Sequence, residues 1–200
     1  MAATIVALRH TSPGGGNPFI SDRNAWITTR HAALVSELQR IGVHNAWQAA
    51  SAIQAHWADE TGWGRAEYGY NIGNIRASGS ACSSAHLLQG SDDTTPRPYC
   101  DYPTLAAGVA ATVALLRHPR YATAWSYLLA TGDGPGYFDR LLRAGWHAWS
   151  QASLDAYRSE LAHVERIVGP PPPATPWGLY GIVALTAAAG VYIVLKNSDR

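Results

Sequence analysis

Glu60 is the side chain whose type and position best suit acid–base chemistry. It closes a run in which Trp47, Ala50, Ile53, Trp57 and Glu60 recur in steps of three and four, so they share one helix face. A carboxyl that continues an apolar face points into the interior or into a cleft. At a helix C-terminus it also meets the negative end of the macrodipole, and partial burial acts in the same direction. Both effects favour the protonated form near neutral pH, the state a general acid needs to protonate a glycosidic oxygen. Trp57 and Trp63 are candidates for an apolar wall beside it. Asp59 points about 100° away and is expected to be exposed. His56 is expected on the side of the helix rather than in the site. The plain alternative is that Glu60 is a solvated helix-end residue.

The elements that must hold this carboxyl are mostly helical. Ser21 or Asp22 can cap a helix that runs to Ile41, with Trp26, Ala33, Leu34, Leu38 and Ile41 at helical spacing and Gly42 as its stop. The helix carrying Glu60 starts near Asn45 and ends at the glycines of Thr61–Gly64. Residues 70–102 contain Gly, Ser, Asp and Pro without periodicity, which predicts loops and a short hairpin. Helical patterning returns over 103–116, 120–130, 136–144 and 153–168. The fold class expected is mainly α, with a small irregular or β lobe.

Composition narrows the function. Of 200 residues, 47% are hydrophobic and 14% charged, which excludes a disordered polyelectrolyte. Fifteen basic residues against 14 acidic ones give a net charge of +1. That lacks the basic excess of a phosphate-tracking surface, so no nucleic-acid partner is expected. Eight Trp and ten Tyr suit a core or a cleft that stacks on sugars. The eight His show no His-x-x-x-His spacing, and two Cys cannot make a four-ligand zinc site, so neither a metal nor a cofactor is expected. Cys82 and Cys100 flank the irregular lobe. A disulfide there would close a nineteen-residue loop and contribute about 3 kcal/mol by chain entropy; two free, partly buried thiols are the alternative.

Several motifs now fall together. The stretch AIQAHWADETGWGRAEYGYNIGNIRA (52–77) resembles the catalytic motif of lysozyme-like peptidoglycan hydrolases, nearest the bacterial and phage glucosaminidase-like and transglycosylase-like group. That group's helix ends in Glu-Ser-Gly-Trp-Gly, followed by Asn-x-x-Gly-Ile or Asn-Pro-Gly-Asn-Ile-Arg. Here these are Glu60, Thr61, Gly62, Trp63 and Gly64, then Asn71, Ile72, Gly73, Asn74, Ile75 and Arg76. Residues 99–125 resemble the family's aromatic-x-x-Tyr segment and closing Arg-Tyr, through Tyr102, Arg120 and Tyr121. Residues 141–168 resemble its Ala-Gly-Tyr and final helix, with Trp146 in place of the Tyr. The resemblance spans about 22–168, with the elements in order.

The resemblance implies a lysozyme-like fold and cleavage of the β-1,4 linkage between N-acetylmuramic acid and N-acetylglucosamine, with Glu60 protonating the leaving oxygen. Tyr121 matches a tyrosine that lines the cleft near that acid. Asn74 and Tyr102 are candidates for holding the sugar, with Trp63 beside them. A hydrolase wants a second carboxylate, about 5 Å away if retaining or about 6.5–9.5 Å if inverting. Glu67, Asp92, Asp93 and Asp101 are the candidates, Asp101 the best placed. A transglycosylase manages with one Glu and the substrate's own hydroxyl.

Domain organisation follows from the ends of the chain. Residues 1–20 are expected to be a flexible leader, since no basic residue precedes the apolar stretch Ala2–Leu8 as a secretory signal requires. Residues 21–168 are the catalytic domain and 169–176, GPPPPATP, a stiff linker. The uncharged residues 177–195 make a helix about 28 Å long, enough to cross a bilayer, with 196–200 as a short tail. Trp177, Tyr180 and Tyr192 suit the interface. An apolar helix packed on another subunit is the alternative. A wall-cutting chain without a cleavable signal but with a tail anchor suits a virion-associated enzyme that acts in the bacterial periplasm during phage infection. Its expected partners are peptidoglycan strands, a membrane and other virion proteins. A lysis protein, an inactive lysozyme-like glycan-binding module and a membrane-anchored scaffold are the competing readings.

Overall fold

The computed structural model describes residues 4–6, 22–64, 67, 70–77, 82, 84–88 and 97–173. Asp22 accepts the backbone N–H groups of Asn24 and Ala25 and thereby caps α1 (Arg23–Arg40), satisfying two otherwise orphaned donors. The chain turns at Ile41–Gly42 and enters α2 (Ala46–Thr61). This helix is buried all round from Ala49 to Ala58, as an apolar helix at the centre of a bundle must be. Alanines at 49, 50, 52, 55 and 58 let α1 and two later helices approach it closely.

α3 (Leu105–Leu116) is capped by Thr104 and packs on α1. A 3₁₀ turn at Pro119–Tyr121 leads into α4 (Ala122–Thr131), so the single helix expected over 120–130 is two pieces, with Pro119 opening the first. α5 (Gly134–Arg143) starts at the Asp133 cap, and α6 (Gln151–Val168) at the Ser150 cap. Both α5 and α6 lie against α2. Trp26, Trp57, Tyr137, Phe138 and Tyr157 fill the space between them.

The irregular lobe holds a small sheet, in the order β1 (Thr4–Val6), β2 (Ser84–Leu88) and β3 (Arg97–Asp101). β2 and β3 are antiparallel, with Ser84 opposite Asp101 and Leu88 opposite Arg97, which is the hairpin expected from the turn-rich sequence. β1 runs parallel to β2, Thr4 opposite Ser84. Part of the segment expected as a flexible leader is therefore a strand, because its partner lies some eighty residues away where no local pattern points to it. The loop at 75–77 joins the same sheet: Cys100 N–H donates to Ile75 O and Ala77 N–H to Pro98 O, both at 2.8 Å. Cys82 and Cys100 form a disulfide with Cα atoms 5.5 Å apart.

The chain divides into a unit over Met1–Pro170 and another over Pro171–Arg200. Among the described residues no helix is long and apolar enough to cross a membrane. The span expected at 177–195, its tail, and most of the leader and linker lie outside the described residues.

One buried charge pair crosses the core. Glu67 is fully buried, and its carboxylate is gripped at both oxygens by Arg30, Nη2 to Oε1 at 2.6 Å and Nε to Oε2 at 3.2 Å. Trp26 donates its indole N–H to Oε2 at 2.6 Å. Glu67 is thus spent on α1 and is not available as a second catalytic carboxylate. Removing it would strand a buried guanidinium. Glu67→Ala is expected to cost about 3–5 kcal/mol in urea unfolding; a loss within about 0.5 kcal/mol, as at an ordinary surface position, would show the pair is not structural.

Candidate active site

Glu60 lies in the last turn of α2, where the helix emerges from the core, and 17% of its side chain is exposed. Two donors meet on a single oxygen. Trp146 Nε1–H donates to Oε1 at 2.7 Å, and His147 Nε2 lies 2.6 Å from the same atom. His56, one helical turn back, brings Nε2 to 3.8 Å from Oε1. Oε2 takes no hydrogen bond from a described residue, so the carboxyl is oriented through one oxygen.

His56 is fully buried, and burial holds its pKa down to about 4 against the raising effect of the Glu60 charge. Tyr137, also buried, keeps its hydroxyl proton because desolvation pushes it far up, and its Oη is 3.4 Å from His56 Nδ1. A phenol donating to Nδ1 leaves the imidazole proton on Nε2, facing Glu60. The His56 ring is boxed in by Trp146, Tyr157 and Tyr137, with centroids at 4.4, 5.6 and 6.4 Å. His56, expected on the side of the helix rather than in the site, instead lies buried beside Glu60, and His147 was not singled out in the sequence. For His56 the i,i+4 spacing to Glu60 was the available signal; for His147 it was adjacency to Trp146.

Trp146 and His147 come from the irregular stretch between α5 and α6, and that stretch is pinned from outside. Arg120 donates from Nε to Ala144 O at 2.9 Å and from Nη2 to Gly145 O at 2.7 Å. Gly145 turns the chain at φ +80, and a side chain there would strike the Arg120 guanidinium. Tyr121 lies on Trp146, centroids 5.0 Å apart. The Arg-Tyr pair singled out in the sequence thus holds the tryptophan that holds Glu60. Tyr121 touches the acid through Trp146.

The chain leaves α2 through three consecutive left-handed residues, Gly62, Trp63 and Gly64, with φ of +57, +63 and +84. Thr61, in the place of the family's serine, donates to Trp57 O and accepts Gly64 N–H, so the hydroxyl supports this turn. A side chain at Gly64 would overlap the Trp26 ring. Trp63 is a bulky residue in a strained conformation, held by its ring contacts with Arg23 at 3.5 Å, His163 at 4.9 Å and Trp26 at 6.1 Å. Those contacts tie it to α1 and α6. Trp57, the other expected wall residue, is wholly in the core.

The loop that follows returns to the acid. Asn71 is buried, accepting Ile75 N–H and donating to Ile75 O. That clamp sets Asn74, at φ +46, to donate to the Glu60 backbone carbonyl at 2.6 Å. Tyr102 has a buried hydroxyl without a hydrogen-bond partner among the described residues, and burial pushes its pKa up. Asp101 ends β3. Asp59 is exposed, yet its carboxyl is pushed up, first by partial desolvation and then by the Glu60 charge. Asp92 and Asp93 lie outside the described residues. Among the described residues no three His, Cys, Asp or Glu gather as a metal site.

The fold is that of a glycoside hydrolase domain. The chain superposes on the glycoside hydrolase domain of Salmonella typhimurium FlgJ with a TM-score of 0.58 at 18% identity, over 84% of this chain and 97% of that one. A C-terminally truncated form of the same domain matches with a TM-score of 0.54 at 18% identity, over 72% and 99%. No protein-family model matches the sequence, and no curated protein does. At this identity the likeness is one of fold.

Two buried neutral histidines make the fold pH-sensitive. His31, between α1 and α2, is also held down to about 4 by burial, with Ser51 Oγ 3.1 Å from its Nε2. In the unfolded chain both protonate near 6.5, so the unfolded state binds more protons below that pH. Their contribution is complete above about pH 6.5 and is lost as pH falls toward about 4, by several kcal/mol in total. The melting temperature should therefore drop steeply over that window, and His31→Gln should flatten part of the slope. A melting temperature constant from about pH 7 to 4.5 would contradict this.

Proposed function

We propose that this chain cleaves the β-1,4 bond between N-acetylmuramic acid and N-acetylglucosamine in peptidoglycan, with Glu60 as general acid. The observation that supports the reading is the carboxyl itself: 17% exposed at the end of a buried helix and held through Oε1 by Trp146 and His147, with no hydrogen bond from a described residue to Oε2. A proton on Oε2 passes to the glycosidic oxygen as the C1–O bond breaks. The bonding pair leaves with that oxygen, and positive charge develops on the sugar ring. The Glu60 carboxylate then accepts the proton of the incoming hydroxyl. If that hydroxyl is water, the product has a reducing end, and Asp101 is the candidate for the second carboxylate. If it is the sugar's own, the product is an anhydro sugar and one Glu suffices. In this reading Asn74 and Tyr102 remain the candidates for holding the sugar, with Asn74 fixed beside the acid through the Glu60 carbonyl, Tyr121 supporting Trp146, and Trp63 serving the turn after α2.

In a zymogram over purified peptidoglycan the wild type should clear. Glu60→Gln should lose at least about 100-fold in rate, and His147→Ala, which frees the carboxyl to rotate, about 10- to 100-fold. Mass spectrometry of the released ends separates hydrolase from transglycosylase. Clearing by both wild type and Glu60→Gln, or by neither, would sink the catalytic role; binding to sedimented walls without clearing would mark a glycan-binding module instead.

We further propose that residues 177–195 anchor the chain in a membrane and that it acts on the periplasmic wall as part of a phage particle. The support is the uncharged, aromatic-flanked segment behind a proline-rich spacer, which suits an enzyme opening a local hole at the envelope. The full chain should sediment with membranes and a chain ending at 176 should not. Purified particles lacking the protein would refute the virion assignment.

A further inference from the structure

Trp149 is the exposed tryptophan among the described residues, at 45%. Its ring is nevertheless fixed. The indole N–H donates to Asp139 Oδ1 at 2.9 Å. Asp139 also receives Arg143 Nε on both oxygens, at 3.0 and 2.9 Å, and the Arg143 guanidinium carbon lies 5.0 Å from the indole centroid. The charges of Asp139 and Arg143 offset one another, and the polar edge of the indole is already satisfied. The surface offered is therefore a neutral, preorganised aromatic face beside guanidinium donors. It suits a ligand with an apolar ring face and polar edges, and the nearby guanidinium disfavours a cation. A pyranose of an uncharged N-acetylated sugar has that chemistry, its ring hydrogens against the indole and its amide and hydroxyl oxygens toward Arg143.

The position matters as much as the chemistry. Trp149 is two residues beyond His147, so their Cα atoms are within about 7 Å. His147 itself touches Glu60. The stretch that orients the acid thus continues directly onto the aromatic platform.

We propose that Trp149 is a sugar-stacking platform for a β-1,4-linked N-acetylated glycan strand running beyond the Glu60 carboxyl along α5. The proposal rests on the reading of Glu60 as the cleavage site. Because the ring is held before the ligand arrives, little side-chain ordering is lost on binding.

The test is calorimetric titration of the full chain carrying Glu60→Gln with a soluble hexamer of β-1,4-linked N-acetylglucosamine. Adding Trp149→Ala should weaken binding about tenfold, equivalent to about 1.4 kcal/mol. Trp149→Gln, which keeps a donor for Asp139 but removes the ring, should do the same, and Trp149→Phe should recover most of the loss. Equal binding with and without the Trp149 ring overturns the platform, as does a parent that does not bind the hexamer. In either case, clearing of peptidoglycan by the wild type would leave the cleavage reading standing.

Discussion

A helix buried on every side can present chemistry to solvent only at its ends, and α2 is enclosed up to Ala58. Glu60 is where this constraint releases. The carboxyl inherits a rigid backbone from the core and partial access to water from the helix end. The three left-handed residues that follow end α2 and turn the chain away from the bundle axis. Trp26 serves both needs, blocking any side chain at Gly64 and contacting Trp63.

The acid is then held from a distance. Trp146 and His147 are more than eighty residues from Glu60 in sequence, and their stretch is fastened by Arg120 from a third element. Behind them, His56 is buried, held in the neutral form by burial, and within 3.4 Å of the Tyr137 hydroxyl. Aromatic rings thus surround His56 beside the carboxyl, while hydrogen bonds to Oε1 fix its orientation. Such an arrangement fixes the carboxyl before anything binds to it.

Two glutamates seven residues apart show how environment assigns roles. Glu67 is fully buried, and a bidentate arginine and an indole N–H satisfy its carboxylate, so it serves the core. Glu60 meets an indole, a partly exposed histidine and a buried neutral one, with no arginine on its carboxylate. The first arrangement spends the charge on stability. The second leaves Oε2 without a hydrogen bond from a described residue.

Much of this was legible in one dimension. Helix spacing and caps located α1, α2 and α6 closely, because short-range hydrogen bonds and an apolar face are local properties of the chain. The turn-rich stretch announced the β2–β3 hairpin, and the end of an apolar face singled out Glu60. The strand at Thr4–Val6, the burial of Glu67, and the grouping of His56, His147 and Trp146 around one oxygen were decided by tertiary structure. Each depends on contacts between segments far apart in sequence. Whether a polar side chain becomes a core ion pair, a positioning donor or a reactive group is set by which partners and how much water reach it after the helices pack.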